Sequence, residues 1–194
     1  MRVIRYISRR FFRRTIAVVL AFTLLILFGD KLVSYTAKLL YPQKYETEVK
    51  TYCREYGVKE SLCYAMIKCE SNFNENAESK AGAIGLMQLT PETFSYVCQN
   101  IYDYEIDPSL IYDPATNIKC GVWLISYLQK EVSDEREVIA AYNAGVNKVK
   151  GWLNNPEYSS DGTTLSNVPY KETDNHIKKV LKTKNIYIKL YNME

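Results

Sequence analysis

The chain has 194 residues with 25 basic and 22 acidic side chains, a length that allows one domain of ordinary size plus a further segment. It carries a single histidine, which excludes zinc sites built on several, such as H-E-x-x-H. The net charge of +3 belongs to the first 29 residues, which hold six arginines and no acid; without those arginines 19 basic residues face 22 acidic ones, so the remainder is not a basic nucleic-acid binder.

Arg2, Arg5, Arg9, Arg10, Arg13 and Arg14 lead into an uncharged apolar run from Thr15 to Gly29. A basic flank before an apolar run is a membrane-targeting pattern. Fifteen residues is short for a span, but Phe11 and Phe12 extend it if the neighbouring arginines snorkel to the interface. Cleavage wants small residues at −3 and −1, and Ala37, the first alanine after Gly29, has Tyr35 two places before it. The sequence therefore favours an uncleaved single-pass anchor over a cleaved signal, with the arginines in the cytosol and the rest outside. An organelle transit peptide would be amphipathic, whereas this segment is uniformly apolar after Arg14. Residues 1–40 are expected to form the basic segment and anchor and residues 41–194 the outer domain, with Tyr41-Pro42 at the junction.

The outer domain reads as helices joined by short turns. Glu46 to Tyr56 is amphipathic and ends at Gly57. Ser61 to Ser71 follows, then a loop of small and polar residues from Asn72 to Gly85. "LTPETF" places Thr90 as a helix cap with Pro91 at the first helical position, and Asp113-Pro114 repeats the device. Glu135 to Ala144 forms a helix closed by Gly145, and a short one runs through Val149 and Trp152. Asn154 to Pro169 contains Asp161-Gly162, a turn signal, and two threonines that could support a brief hairpin. The last helix is expected from about Tyr170 to Leu190. The fold class is thus mostly α with at most a short hairpin, preceded by one transmembrane helix. The five cysteines all lie beyond the anchor, contain no C-x-x-C, and are read as buried thiols at least as readily as bridges, with no pairing assigned.

One acid breaks the pattern. At about 100° of rotation per residue, Glu70 falls roughly 80° from Leu62, inside the apolar face made by Leu62, Cys63, Ala65, Met66, Ile67 and Cys69. A carboxylate in apolar surroundings loses hydration and either finds partners or takes up a proton. A retained proton is what a general acid working near neutral pH requires. The plainer alternative is a helix-end glutamate that turns to solvent or meets an arginine.

Five stretches stand in order: "ESNF" at 70–73, "GAIGLMQLTP" at 82–91, "DPATNIKCG" at 113–121, "AYNAG" at 141–145 and "VPYKET" at 168–173. Together they resemble the soluble-lytic-transglycosylase family, glycoside hydrolase family 23, over roughly Tyr45 to Lys189. The resemblance implies a lysozyme-like fold, no cofactor and no metal. It implies that Glu70 is the single catalytic acid/base, acting on the bond between N-acetylmuramic acid and N-acetylglucosamine in peptidoglycan. It also implies that Ser71, Met87, Gln88, Tyr142, Asn143 and Tyr170 bind substrate, with Met87 packing beside the sugar and Tyr142 walling the cleft. Taken alone, Leu86 and Met87 would be core, and Glu75 and Glu78 would be solvated loop charges rather than a second carboxylate. The last motif departs from the family: where members read E-T-R-x-Y, this chain has Asp174 and His176, and His176 sits at the edge of the Thr173, Ile177, Val180, Leu181 face, where it could still aim inward. Three competing readings remain: a muramidase resembling goose-type lysozyme, a non-catalytic peptidoglycan-binding protein, and a peptidase using Cys69 and His176. The expected partners are glycan strands and the membrane.

Overall fold

The computed structural model describes residues 2–193, and the chain divides into two compact units, one ending at Pro42 and the other starting at Gln43. The first unit is one helix, α1 (Arg2–Leu40). Its stretch Phe11–Leu40 is, by length and composition, long and apolar enough to cross a membrane. Phe22, Leu25 and Phe28 are exposed. Thirty residues at about 1.5 Å each reach about 45 Å, more than the roughly 30 Å of a hydrocarbon core, so the helical stretch outruns the apolar run read from Thr15 to Gly29.

The second unit contains α2 (Glu46–Tyr56), α3 (Glu60–Glu70), α4 (Pro91–Ile101), a 3-10 turn at Pro108–Tyr112, α5 (Pro114–Glu131), α6 (Glu135–Ala144), α7 (Val146–Leu153) and α8 (Lys171–Tyr191). The caps set the boundaries. Thr90 Oγ1 accepts from Thr93 N at 3.2 Å, Asp113 Oδ2 accepts from Thr116 N at 2.8 Å, and a proline follows each cap at the first helical position.

At the centre lies α3. Eight of its eleven residues are buried, from Ser61 through Ile67 and then Cys69, so it is enclosed on every side instead of showing one apolar face. It packs along α8, where Tyr64 stacks on Tyr187 at 5.3 Å, and against α2. The α5 helix connects α2, α4 and α6, and α6 rests on α8. A second cluster, with Leu89, Phe94, Val97, Ile111 and Cys120 at its heart, fills the space between α4, α5 and the 3-10 turn.

Strand pairing is minimal and lies elsewhere than the sequence suggests. Among the described residues only two isolated antiparallel bridges occur, Glu78 with Ile84 and Ile84 with Leu89, both in the loop after Glu70. In the segment read as a possible hairpin, Asp161 Oδ1 instead accepts from Thr163 N and Thr164 N at 2.8 and 2.7 Å. That carboxylate gathers the turn into a compact loop, and its two backbone donors hold it well below the ordinary carboxylate range. All five cysteines are free and buried.

Close approach between α5 and the loop before α4 depends on Gly121. A Cβ there would lie 2.8 Å from Met87 Cβ and nearer still to its sulfur. Gly121→Ala should therefore overpack this contact and lower unfolding stability by about 1–3 kcal/mol, read from chemical denaturation; unchanged stability would show that Met87 yields freely.

Candidate functional site

Glu70 is the last residue of α3. The helix stops there because Ser71 turns out of helical geometry, and both its N–H and its hydroxyl donate to Ile67 O, at 3.1 and 3.2 Å. From α8, Lys179 Nζ donates to Cys69 O at 2.8 Å, a cation on the negative end of the helix dipole. The next two residues, Asn72 and Phe73, both have left-handed backbones, with φ of 53° and 62°. Such geometry is costly for non-glycine residues, and it is held here by Phe73, whose buried ring meets Tyr64 at 6.4 Å. The chain thus reverses sharply after Glu70, with the carboxyl group at the corner.

That carboxyl is mostly enclosed, its side chain 16% exposed, and His176 of α8, 12% exposed, brings Nε2 to 3.3 Å from Oε1. Nε2 forms no hydrogen bond, so the two groups approach without the alignment that would commit either one. Tyr142 of α6 lies close enough to feel Glu70. Its hydroxyl is pushed well above the ordinary phenol range, first by burial and then by the Glu70 charge. The hydroxyl donates to Met87 O at 2.8 Å, tying α6 to the loop that precedes α4.

That loop is built on Gln88, a further non-glycine left-handed residue at φ 50°. Its amide nitrogen donates to Gly85 O at 3.0 Å and Ala77 O at 3.1 Å, so both donors are spent inward while the amide oxygen accepts nothing among the described residues. Met87 lies differently from the expectation of a sugar contact: its side chain is fully buried on Gly121, and only its backbone carbonyl engages Tyr142. Asn143 is exposed, with Oδ1 accepting from Thr173 Oγ1 at 2.8 Å. With Tyr170, Lys148, Pro169 and Thr173 it lines a cavity of about 540 Å³. Tyr170 is half exposed, set edge-on to Trp152 at 5.2 Å, with Lys148 Nζ 5.4 Å from its ring centre. A larger cavity of about 640 Å³, between α2 and the end of α8, is lined by none of these residues.

The acids of the loop after Glu70 are each held by a tyrosine. Glu75 accepts from Tyr45 at 2.7 Å and Glu78 from Tyr112 at 2.6 Å. Tyr45 is pushed up to about 12, first by burial and then by Glu75. Asp174, where the resemblance leads one to expect arginine, meets Arg136 of α6 at 3.6 Å and Lys178 at 2.5 Å.

Two residues that organise the site escaped the sequence reading. Asn117 of α5 is buried; its Oδ1 accepts from Met87 N at 2.8 Å, and its Nδ2 donates to Ile111 O at 2.8 Å and Ile84 O at 3.2 Å. It lies so near Gly85, itself at φ 79°, that a Cβ there would stand 2.9 Å from Asn117 Cγ. Glu137 of α6 is fully buried, and its Oε1 accepts from Leu165 N at 2.9 Å, fastening the loop before α8. The one available signal was a polar residue on an otherwise apolar helix face.

Comparison with known proteins gives a consistent picture. The family model described as the transglycosylase SLT domain matches residues 49–164. The soluble lytic murein transglycosylases of Salmonella typhimurium and Escherichia coli are each 32% identical over 145 residues, which is 73% of this chain and 22% of theirs. A membrane-bound lytic murein transglycosylase C of Haemophilus ducreyi is 30% identical over 171 residues, 76% of this chain and 46% of that protein. The chain thus spans about a fifth to a half of the length of these relatives. Among solved structures, the 70 kDa soluble lytic transglycosylase of Escherichia coli superposes with a TM-score of 0.70 at 28% identity, covering 80% of this chain and 26% of that one. An inactive glutamate-to-glutamine mutant of the lytic transglycosylase from Pseudomonas aeruginosa superposes with the same TM-score at 25% identity, covering 80% and 25%.

Asn117→Ala removes three hydrogen bonds, two to the Gln88 loop and one to the 3-10 turn. At about 1 kcal/mol each, the domain should lose about 3 kcal/mol of unfolding stability; a loss under about 1 kcal/mol would mean the loop is held by other contacts.

Proposed function

Because the chain belongs to the transglycosylase SLT domain family, we propose that residues 41–194 form a peptidoglycan lytic transglycosylase domain and that residues 1–40 are its basic segment and membrane anchor. The observation that carries the reading is the corner at Glu70: a nearly enclosed carboxyl group at the end of a buried helix, beside Tyr142 and 3.3 Å from an unpaired imidazole nitrogen.

In this mechanism protonated Glu70 gives its proton to the glycosidic oxygen between N-acetylmuramic acid and N-acetylglucosamine. The bond from muramic C1 to that oxygen breaks, and the substrate's own acetamido group assists at C1 in place of a second carboxylate. Ionised Glu70 then takes the proton from the muramic C6 hydroxyl, whose oxygen closes on C1 to leave a 1,6-anhydro end. One carboxyl group thus serves both half-steps, and no water is consumed.

The neighbours divide the work of holding the glycan. Gln88, with its donors spent inward, offers its amide oxygen to a sugar hydroxyl or acetamido N–H. Asn143 and the exposed ring of Tyr170 border the cavity beside α6, where the ring provides a face for a sugar to stack on. Ser71 offers the oxygen of its hydroxyl next to the acid. Met87 acts from beneath, through the carbonyl that holds Tyr142. The α1 helix, with arginines before its apolar stretch, fits a single-pass anchor with the arginines in the cytosol and the catalytic domain outside the cell membrane.

His176 stands where the resemblance leads one to expect tyrosine, and at 3.3 Å its Nε2 is within reach of Glu70 Oε1, so a ring N–H there could donate to the carboxylate as a phenol would.

Two measurements test the reading. Glu70→Gln should cut release of muropeptides from wall sacculi by at least about 100-fold while the variant stays folded, and mass spectrometry should find 1,6-anhydro ends among the wild-type products. Reducing ends instead would assign the domain to hydrolysis, and undiminished release by the variant would remove Glu70 from the chemistry.

A further inference from the structure

We propose that Cys98 and Cys120 form a dithiol site that closes to a disulfide by exchange with a disulfide-bearing reagent or protein arriving through the apolar cavity beside α4. The proposal does not depend on the glycan chemistry.

Cys98 lies on α4 and Cys120 on α5, and their sulfurs are 3.8 Å apart in the space between the helices. A disulfide requires about 2.0 Å, so closure needs only a small approach of two side chains that already face each other. Cys120 is fully buried, but Cys98 stands at a wall. It lines a cavity of about 410 Å³ together with Pro91, Phe94, Ile106 and Ile111. The cavity gives one sulfur a route to the outside and leaves the other behind it, the order a two-step exchange needs. Burial pushes both thiols up from the ordinary range, so the thiolate is scarce and the exchange quickens as pH rises.

The exchange balances without a further reactant. The Cys98 thiol loses its proton, and the thiolate attacks one sulfur of the donor disulfide, forming a mixed disulfide and releasing the other donor sulfur as thiolate. Deprotonated Cys120 then attacks the Cys98 sulfur, forming the Cys98–Cys120 bond and releasing the second donor sulfur. The protein dithiol is oxidised, the donor disulfide is reduced to two thiols, and the protein's two protons pass to the departing thiolates.

The remaining cysteines supply internal competitors. Cys53 and Cys63 also neighbour each other, and Cys69 Sγ approaches Thr183 Oγ1 at 3.5 Å. The proposed bond would join the helix that begins at the Thr90 cap to the helix that carries Asn117 and Gly121. It would therefore cross-link both supports of the Gln88 loop.

The test uses the full chain in detergent micelles with oxidised glutathione as donor, followed by alkylation of the remaining thiols and peptide mapping under non-reducing conditions. The expected result is a Cys98–Cys120 cross-linked peptide in the folded protein, and a thermal midpoint several degrees above that of the reduced chain. Cys120→Ser should stop the reaction at a glutathione adduct on Cys98. Free thiols at both positions in the oxidised wild type, stable adducts without a cross-link, or cross-links that involve only Cys53, Cys63 or Cys69 would each overturn the proposal. So would a Cys120→Ser chain that takes up no glutathione at Cys98.

Discussion

The structure depends on ending a buried helix with an acid. Surrounding α3 with α2 and α8 removes water from nearly its whole length, and whatever residue occupies its last position inherits that dry flank. A carboxyl group left there without a fixed partner is an unfavourable arrangement that folding alone would not select. The chain keeps it in place with the Ser71 bonds to Ile67, the Lys179 bond to Cys69 and two left-handed residues stabilised by the burial of Phe73. Strain at this corner, offset by packing around it, supports the catalytic role proposed for Glu70.

The opposite wall is held by hydrogen bonds rather than by a sheet. The loop from Asn72 to Thr90 has two isolated bridges and no strand, so its shape rests on Asn117 from below and on the Gln88 amide from within. Gly85 and Gly121 matter for the space they leave: one lets Asn117 reach the loop, the other lets Met87 sink into the core. With the loop fixed from beneath, Tyr142, which feels the Glu70 charge, joins it to α6 through a single bond to Met87 O.

Much of this was readable from the chain. Boundaries signalled by a cap and a proline, at Thr90-Pro91 and Asp113-Pro114, fall where local chemistry sets them, because those signals act within one helical turn. The setting of Glu70 was also visible, since helical periodicity alone puts it among apolar neighbours. The burial of α3 on all sides was not, because periodicity reports one face and cannot count the helices packed around it. The brief hairpin that the sequence allowed near Asp161 is replaced by side-chain capping, a competition between Asp161 oxygen and strand pairing that residue types leave open. Asn117 and Glu137 went unnoticed for a related reason. A polar residue on a helix reads as a solvent-facing one until its partners, 30 positions away at Met87 and 28 at Leu165, are known. Met87 was assigned to the sugar by the family pattern, and the close approach that Gly121 allows its side chain is invisible in a one-dimensional motif.

The contact between Arg136 and Asp174 bears on how interchangeable the parts of this fold are. An arginine on α6 faces an acid on α8, so charge as well as packing draws this seam together. Arginine placed at position 174 would instead set cation against cation there. Changes on the two sides of the seam are therefore coupled.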